Sequence, residues 1–342
     1  MNSTQIKNQK LNRNQQGLTL VEVMVAMTIG LILLGGVVTV MSSNQNIYRV
    51  NEAVTRMQEN ARYAFQLLSR DIRMAGYRGC IGDAVAITNV LNADLDDFLW
   101  RFDQPLKGYN ATSSSWTPDL PSEVTSPLKG RDVIVVRGIE DGYAKVISHA
   151  SGSADLVVEG DSNIKTGNAV LVSNCLGSAV FKATEVSNVS GKKNVVHAEN
   201  PGGAAGSNAT SNLGKSFTGG EAVRISTRSY YIRTNPEGIP ALYWRKDSEK
   251  AVELVEGIED MQIQYGEDVN EDRTAGAYRT ADQVVNWENI VSVRIDLLVQ
   301  SAEDNITSQS QTYTFNGEDV TPTDRRLRQT FSTVIALRNR AL

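Results

Sequence analysis

Apolar residues run from Leu18 to Met41 with no Lys, Arg, Asp or His, and Glu22 is the single charge among them. The stretch is long enough to cross a bilayer as one helix. Beyond Met41 the apolar positions fall three and four apart, at Ile47, Val50, Val54, Met57, Ala61, Ala64 and Leu68, with Glu52, Arg56, Glu59, Arg62 and Arg70 between them. That is the stripe of an amphipathic helix with one face to dock. No Pro interrupts Leu18–Gly76, so the pattern predicts one helix of roughly 88 Å at about 1.5 Å per residue. Residues 18–41 anchor it and residues 42–77 dock. Gly30, Gly35 and Gly36 each weaken the anchor by about 1 kcal/mol relative to Ala. They suit close packing against another helix, and Gly is also common in membrane helices generally.

After Gly76 the helical spacing gives way to short β-rich runs, clearest at Asp132–Arg137, Ala154–Val158, Ala169–Val172, Ala179–Val186, Ser229–Arg233 and Ile290–Val299. In the last, Val291, Val293, Ile295 and Leu297 alternate with Ser292, Arg294 and Asp296, as a strand with one buried face requires. The predicted fold class is α+β, with a long N-terminal helix packed on an enlarged antiparallel sheet that occupies residues 78–342. Two stretches read as loop inserts that bury no core: residues 101–130, with Pro105, Pro118, Pro121 and Pro127, and residues 200–220, rich in Gly, Ala, Ser and Asn. Residues 144–198 are a candidate β insert. Gly214-Lys215-Ser216 ends like a phosphate-binding loop, but Ala209 stands where the first Gly is required and no strand leads into it, which argues against a nucleotide site.

An acid at the centre of a membrane helix costs about 2.5–3.5 kcal/mol on insertion scales, and less near an end. Residues 1–16 contain Lys7, Lys10 and Arg13 and no acid, which holds that end in the cytoplasm and sends the head to the periplasm. A secretory signal carries its small residue after the apolar run, whereas Gly17 comes before it. Cleavage after Gly17 leaves the helix attached and gives a mature chain with a free amine on Leu18 and Glu22 fifth in line. Gly17 and Glu22 in this arrangement resemble the prepilin class of type IV pilins and type II secretion pseudopilins. The resemblance implies a cleaved leader at residues 1–17, a prepilin peptidase acting between Gly17 and Leu18, and methylation of the Leu18 amine. It also implies pairing of Glu22 with the amine of a neighbouring subunit. Leu18 departs from the usual Phe. The pairing is physically sound, because an amine and a carboxylate brought together in hydrocarbon neutralise each other.

The formal charge is −5, and loss of Lys7, Lys10 and Arg13 with the leader takes the side-chain total to −8. An acidic surface with only scattered cations disfavours direct nucleic-acid binding. Cys80 and Cys175 are the only cysteines, an even count in a domain facing an oxidising compartment, so a disulfide is expected. It closes a loop of roughly 95 residues, for which chain entropy suggests about 4–5 kcal/mol. His149 and His197 are the only histidines and fit no metal or triad pattern, so they are expected to be exposed or hydrogen-bonded, and no catalytic residue or cofactor is assigned. Asp268, Asn270 and Asp272 alternate oxygens as the first half of a calcium loop does. Arg273 replaces the tight-turn Gly and Arg279 the twelfth-position Glu, so a solvated acidic loop is the competing reading.

Three further segments narrow the class. Residues 71–80 at the helix exit (Asp71-Ile72-Arg73-Met74-Ala75-Gly76-Tyr77-Arg78-Gly79-Cys80), residues 254–266 ending Tyr265-Gly266, and Trp287 leading into Val291–Val299 are similar to the PilW family of minor type IV pilins. The family implies a low-abundance subunit that joins other minor pilins in a tip complex priming pilus assembly, with the major pilin also a partner. Its partners are those pilins, the prepilin peptidase and the inner-membrane assembly platform. Two alternatives stand: a large minor pseudopilin of a type II secretion system, and, from another class, a membrane-tethered periplasmic protein binding a ligand among Trp100, Trp116 and Trp244.

Overall fold

The computed structural model describes residues 17–79, 87–94 and 97–340. One helix is assigned over Leu20–Met74, and the chain divides into two compact units at residues 52 and 53. In the first unit every large apolar side chain from Leu20 to Met41 is exposed, Leu20 at 76%, and this is the one described helix apolar and long enough to cross a membrane. In the second unit Ala53, Met57, Ala61, Ala64, Leu68 and Ile72 form a buried stripe. The stripe predicted from Ile47 thus begins at Ala53; Ile47 is exposed. Gly76 ends the helix with φ of 70°, a conformation a side chain disfavours, and Tyr77 N–H returns to Met74 C=O at 3.3 Å.

The stripe is buried by two sheets. A four-stranded sheet has the order Ala277–Arg279, Ile258–Glu267, Ile290–Gln300, Arg328–Ala336, antiparallel throughout. In the larger sheet the long strands Val133–His149 and Glu221–Thr234 pair antiparallel. Ala169–Asn174 and Pro240–Lys246 also pair with Glu221–Thr234. Met57, Leu68 and Ile72 share one core with Ile134, Val136 and Ile232 from the larger sheet, and with Ile263, Val293, Ile295 and Leu297 from the smaller. Val293, Ile295, Leu297 and Val299 enter this core at every second position, as the period of two requires, whereas at the start of the strand Ile290 rather than the expected Val291 joins it, beside a register shift. The predicted run Ala179–Val186 is two strands, Gly177–Lys182 and Glu185–Val189, because the chain leaves the first ladder at Ala183.

The two expected loop inserts are corrected. Residues 101–130 contain the strand Leu106–Ala111, whose Leu106 lies in the main core, and Val124, which packs with Tyr231 and Tyr243. In residues 200–220, Leu213 and Phe217 are buried with Val146, Leu156 and Phe181 in a second core. Single apolar residues in a polar stretch supply these anchors, and composition averages over them. The second core draws mainly on residues 144–195 together with these two side chains.

Asp132 ties the sheets together. Its carboxylate accepts the Ala111 N–H at 2.7 Å and the Ile263 N–H at 2.8 Å, while its own N–H donates to Met261 C=O. Burial pushes its pKa up to about 7 against those two bonds. His197 corrects its expectation: it is fully buried against Phe181 at 4.7 Å, and neither ring nitrogen has a partner among the described residues. His149 is also buried, with Nδ1 accepting the Phe217 N–H at 3.2 Å. Burial, then the neighbouring His149, lowers the His197 pKa to about 4.

Between pH 6.5 and 4 the unfolded chain therefore takes up a proton on this imidazole that the folded chain refuses, so stability is present above 6.5 and lost on acidification. Asp132, Asp247 and Asp260, with pKa values pushed up by burial, act in the opposite sense. Their effect cancels when His197→Phe is compared with its parent. Denaturant unfolding of the full chain in detergent should show the variant gaining on the parent by on the order of 2–3 kcal/mol between pH 7 and pH 4; parallel profiles would refute the buried neutral imidazole.

Candidate functional site

The start of the helix carries the chemistry singled out in the sequence. Leu20 is the first helical residue, so Thr19 is the N-cap and Glu22 the third residue of the first turn. Thr19 Oγ1 accepts the Glu22 N–H at 3.3 Å, and Glu22 Oε2 accepts the Thr19 N–H and the Thr19 hydroxyl, both at 2.9 Å. This is a capping box, which satisfies two of the helix's orphan donors from side chains. An acid in the first turn also meets the positive end of the helix dipole. Glu22 Oε1 has no hydrogen-bond partner among the described residues. Gly17 and Leu18 are exposed just before the cap, and Lys7, Lys10 and Arg13 lie outside the described residues. The Thr19-x-x-Glu22 capping signature is local to the sequence, whereas the expectation for Glu22 concerned the membrane and a neighbouring subunit's amine.

At the other end of the helix the structure brings the three distal segments together. Asp71 is buried; its Oδ1 faces Arg228 Nη1 at 2.9 Å and its Oδ2 accepts the Tyr230 hydroxyl. Burial and the Asp71 charge push the Tyr230 pKa upward, so the phenol keeps its proton. Tyr265 packs edge-on against Trp287 at 4.8 Å, and a Cβ on Gly108 would come within 2.2 Å of the Tyr265 hydroxyl. Arg340 Nη1 donates to Trp287 C=O at 2.6 Å. Arg228, Tyr230 and Gly108 were not singled out from the sequence, because nothing local marks the partners of a residue more than a hundred positions away.

Other expected sites are placed as follows. Cys175 is not a free thiol, and Cys80 lies outside the described residues. Asp268 Oδ1 accepts the N–H groups of Asn270 and Asp272, its Oδ2 accepts that of Arg273, and Asp272 accepts from Thr274 and from the Asn270 side chain. The oxygens expected to face calcium thus tie the loop to itself. Among the described residues no three His, Cys, Asp or Glu side chains are grouped to hold a metal ion. Trp100, Trp116 and Trp244 pack on three separate apolar clusters, so they line no common site.

Two of the three segments gathered around the helix exit, residues 254–266 and Trp287, fall within one family match, and residues 71–80 fall outside it. Residues 229–339 match the model of type IV pilus-assembly protein W, and residues 12–38 match the prokaryotic N-terminal methylation motif. The chain is similar to PilW-type pilus-assembly proteins over its last third and to prepilins at its start. Comparison with curated proteins gives no match. Among solved structures, a type IV-like pilin from Thermus thermophilus aligns with 84% of this chain and 100% of its own at 11% identity and a TM-score of 0.34, a likeness that carries no argument. The PilW-like match contains Tyr230, Tyr265 and Trp287, and the methylation motif contains Gly17, Leu18 and Glu22. The matched N-terminal motif and the single described apolar helix are those of a chain anchored once in the inner membrane.

Loss of an N-cap hydroxyl costs about 0.5–2 kcal/mol. Thr19→Val in the full-length chain in micelles should speed exchange of the Glu22 amide about 2- to 30-fold, with a smaller effect from Glu22→Gln, which keeps an acceptor. Unchanged exchange in Thr19→Val would refute the cap.

Proposed function

We propose that this chain is a minor pilin that helps prime type IV pilus assembly in a tip complex with other minor pilins, seated on the major pilin. The observation that carries the reading is the divided use of Glu22: Oε2 caps its own helix while Oε1 is left without a partner at the start of an uncovered apolar segment. An anion in that setting is best satisfied by a cation arriving with another apolar helix. The α-amine of a neighbouring processed pilin is such a cation.

In this reading a prepilin peptidase cleaves after Gly17, the new amine on Leu18 is methylated, and the assembly platform extracts the subunit from the inner membrane. The head faces the periplasm, where Cys80 and Cys175 pair. No catalysis, cofactor or nucleic-acid contact is required. Calcium at Asp268, Asn270 and Asp272 would have to displace the loop's internal bonds, and the reading does without it.

A deletion strain complemented with parent, Glu22→Gln or Thr19→Val separates the two uses of the carboxylate. With the retraction motor intact, surface pili should be restored by the parent and by Thr19→Val but not by Glu22→Gln. Epitope labelling should fall at one end of each fibre. Normal piliation in the deletion strain, with exoprotein release failing instead, would contradict the reading and favour the secretion pseudopilin.

A further inference from the structure

The strand Arg328–Ala336 forms one edge of the four-stranded sheet. It pairs with Ile290–Gln300 over nine residues with no bulge, and from Gln329 to Leu337 it contains no charged residue and no Pro. Other edge strands carry charge, as at Glu253 and Glu256, Glu185, or Arg279, or are only two residues long, as at Thr88–Asn89. Charge, Pro, bulges and brevity are the usual guards against strand pairing.

The direction of each backbone group follows from two bonds. Leu337 N–H donates to Val291 C=O, and Ser301 N–H donates to Leu327 C=O, so the odd-numbered residues face the neighbouring strand and the even-numbered ones face out. Both ends of the outward row are already satisfied. Gln311 Oε1 accepts the Arg328 N–H at 2.9 Å and its Nε2 donates to Arg328 C=O at 3.1 Å, as a paired strand would, while Arg338 N–H donates to Arg73 C=O at the helix end. Between these caps Thr330, Ser332, Val334 and Ala336 are exposed, and their outward N–H and C=O groups have no partner among the described residues.

We propose that this open edge is a docking site for an extended strand of a different pilus subunit, added antiparallel or parallel to Thr330–Ala336 and carrying an acidic residue beside Arg73 and Arg338. Both residues are exposed, and their guanidinium groups have no partner among the described residues. The charge argues against a second copy. Two identical edges meet about a two-fold axis only antiparallel, which sets Arg73 and Arg338 of one chain beside Arg325 and Arg326 of the other, where Asp324 is already paired with Arg328 and Asp304 is the acid beside them. A strand from another chain gains main-chain hydrogen bonds along the window. Thr330, Ser332, Val334 and Ala336 offer it a short, uncharged face. The inference rests on the pilus reading for the identity of the partner chain.

The test is amide exchange at single-residue resolution on the full chain, alone in nanodiscs and in the complex purified from cells co-expressing the other prepilins of the same system. The amides of residues 330, 332, 334 and 336 should exchange at least tenfold more slowly in the complex. Val334→Pro removes an outward N–H and no ladder bond, so it should leave the odd-numbered amides of the strand protected while lowering recovered complex at least tenfold. Arg338→Glu should weaken the complex without altering the chain alone. A complex in which the even-numbered amides exchange as in the chain alone overturns the edge proposal and leaves the pilus reading standing. Concentration-dependent protection in the chain alone overturns the choice of partner in favour of a second copy. Absence of any complex, with normal pili in the deletion strain, overturns both.

Discussion

A helix that is apolar on every side cannot be satisfied by one sheet, and this chain makes no attempt to do so. From Leu20 to Met41 its large apolar side chains remain exposed, whereas from Ala53 onward the same helix buries a single stripe. A bilayer is an environment in which the first segment is stable, and in the proposed reading the apolar helices of other pilins replace it on assembly. The change in side-chain pattern between Met41 and Ala53 separates what the chain stabilises by itself from what it stabilises only in company. Glu22 lies within the uncovered segment, and in the proposed reading its second oxygen is met by a partner's amine.

The docked half has its own polar demand. Asp71 is a charge taken into the interior on the helix, and Arg228 and Tyr230 from the larger sheet answer it. Removing one member of such a buried set typically costs about 3–5 kcal/mol, because the remaining charge has no water to turn to. Asp132 plays the corresponding part between strands, holding one N–H from each side with its two oxygens. Apolar burial provides the bulk of the attachment, and these carboxylates fix its register.

What could be read from the sequence was whatever repeats locally. The helix, its stripe at Met57, Ala61, Ala64 and Leu68, and the alternation in Ile290–Gln300 follow from periods of 3.6 and 2. Glu22 was found by contrast with its surroundings. Its bonds to Thr19 were equally local but were overshadowed by that contrast. The anchors Leu106, Leu213 and Phe217 escaped because each is a lone apolar residue in a polar stretch, and the His197 environment escaped because it is assembled from residues distant in sequence. The open edge at Thr330–Ala336 depends on which side of a ladder each N–H faces, which only the pairing register reveals.

The central claim is that Glu22 joins this subunit to the amine of another. Dicyclohexylcarbodiimide, which enters membranes and couples carboxylates to adjacent amines, tests it directly when applied to membranes from piliated cells. Peptide mass spectrometry should then find an amide between the Glu22 side chain and the α-amine of a different pilin chain. Coupling of Glu22 only to the Leu18 amine of its own chain, or to no amine at all, would contradict the account.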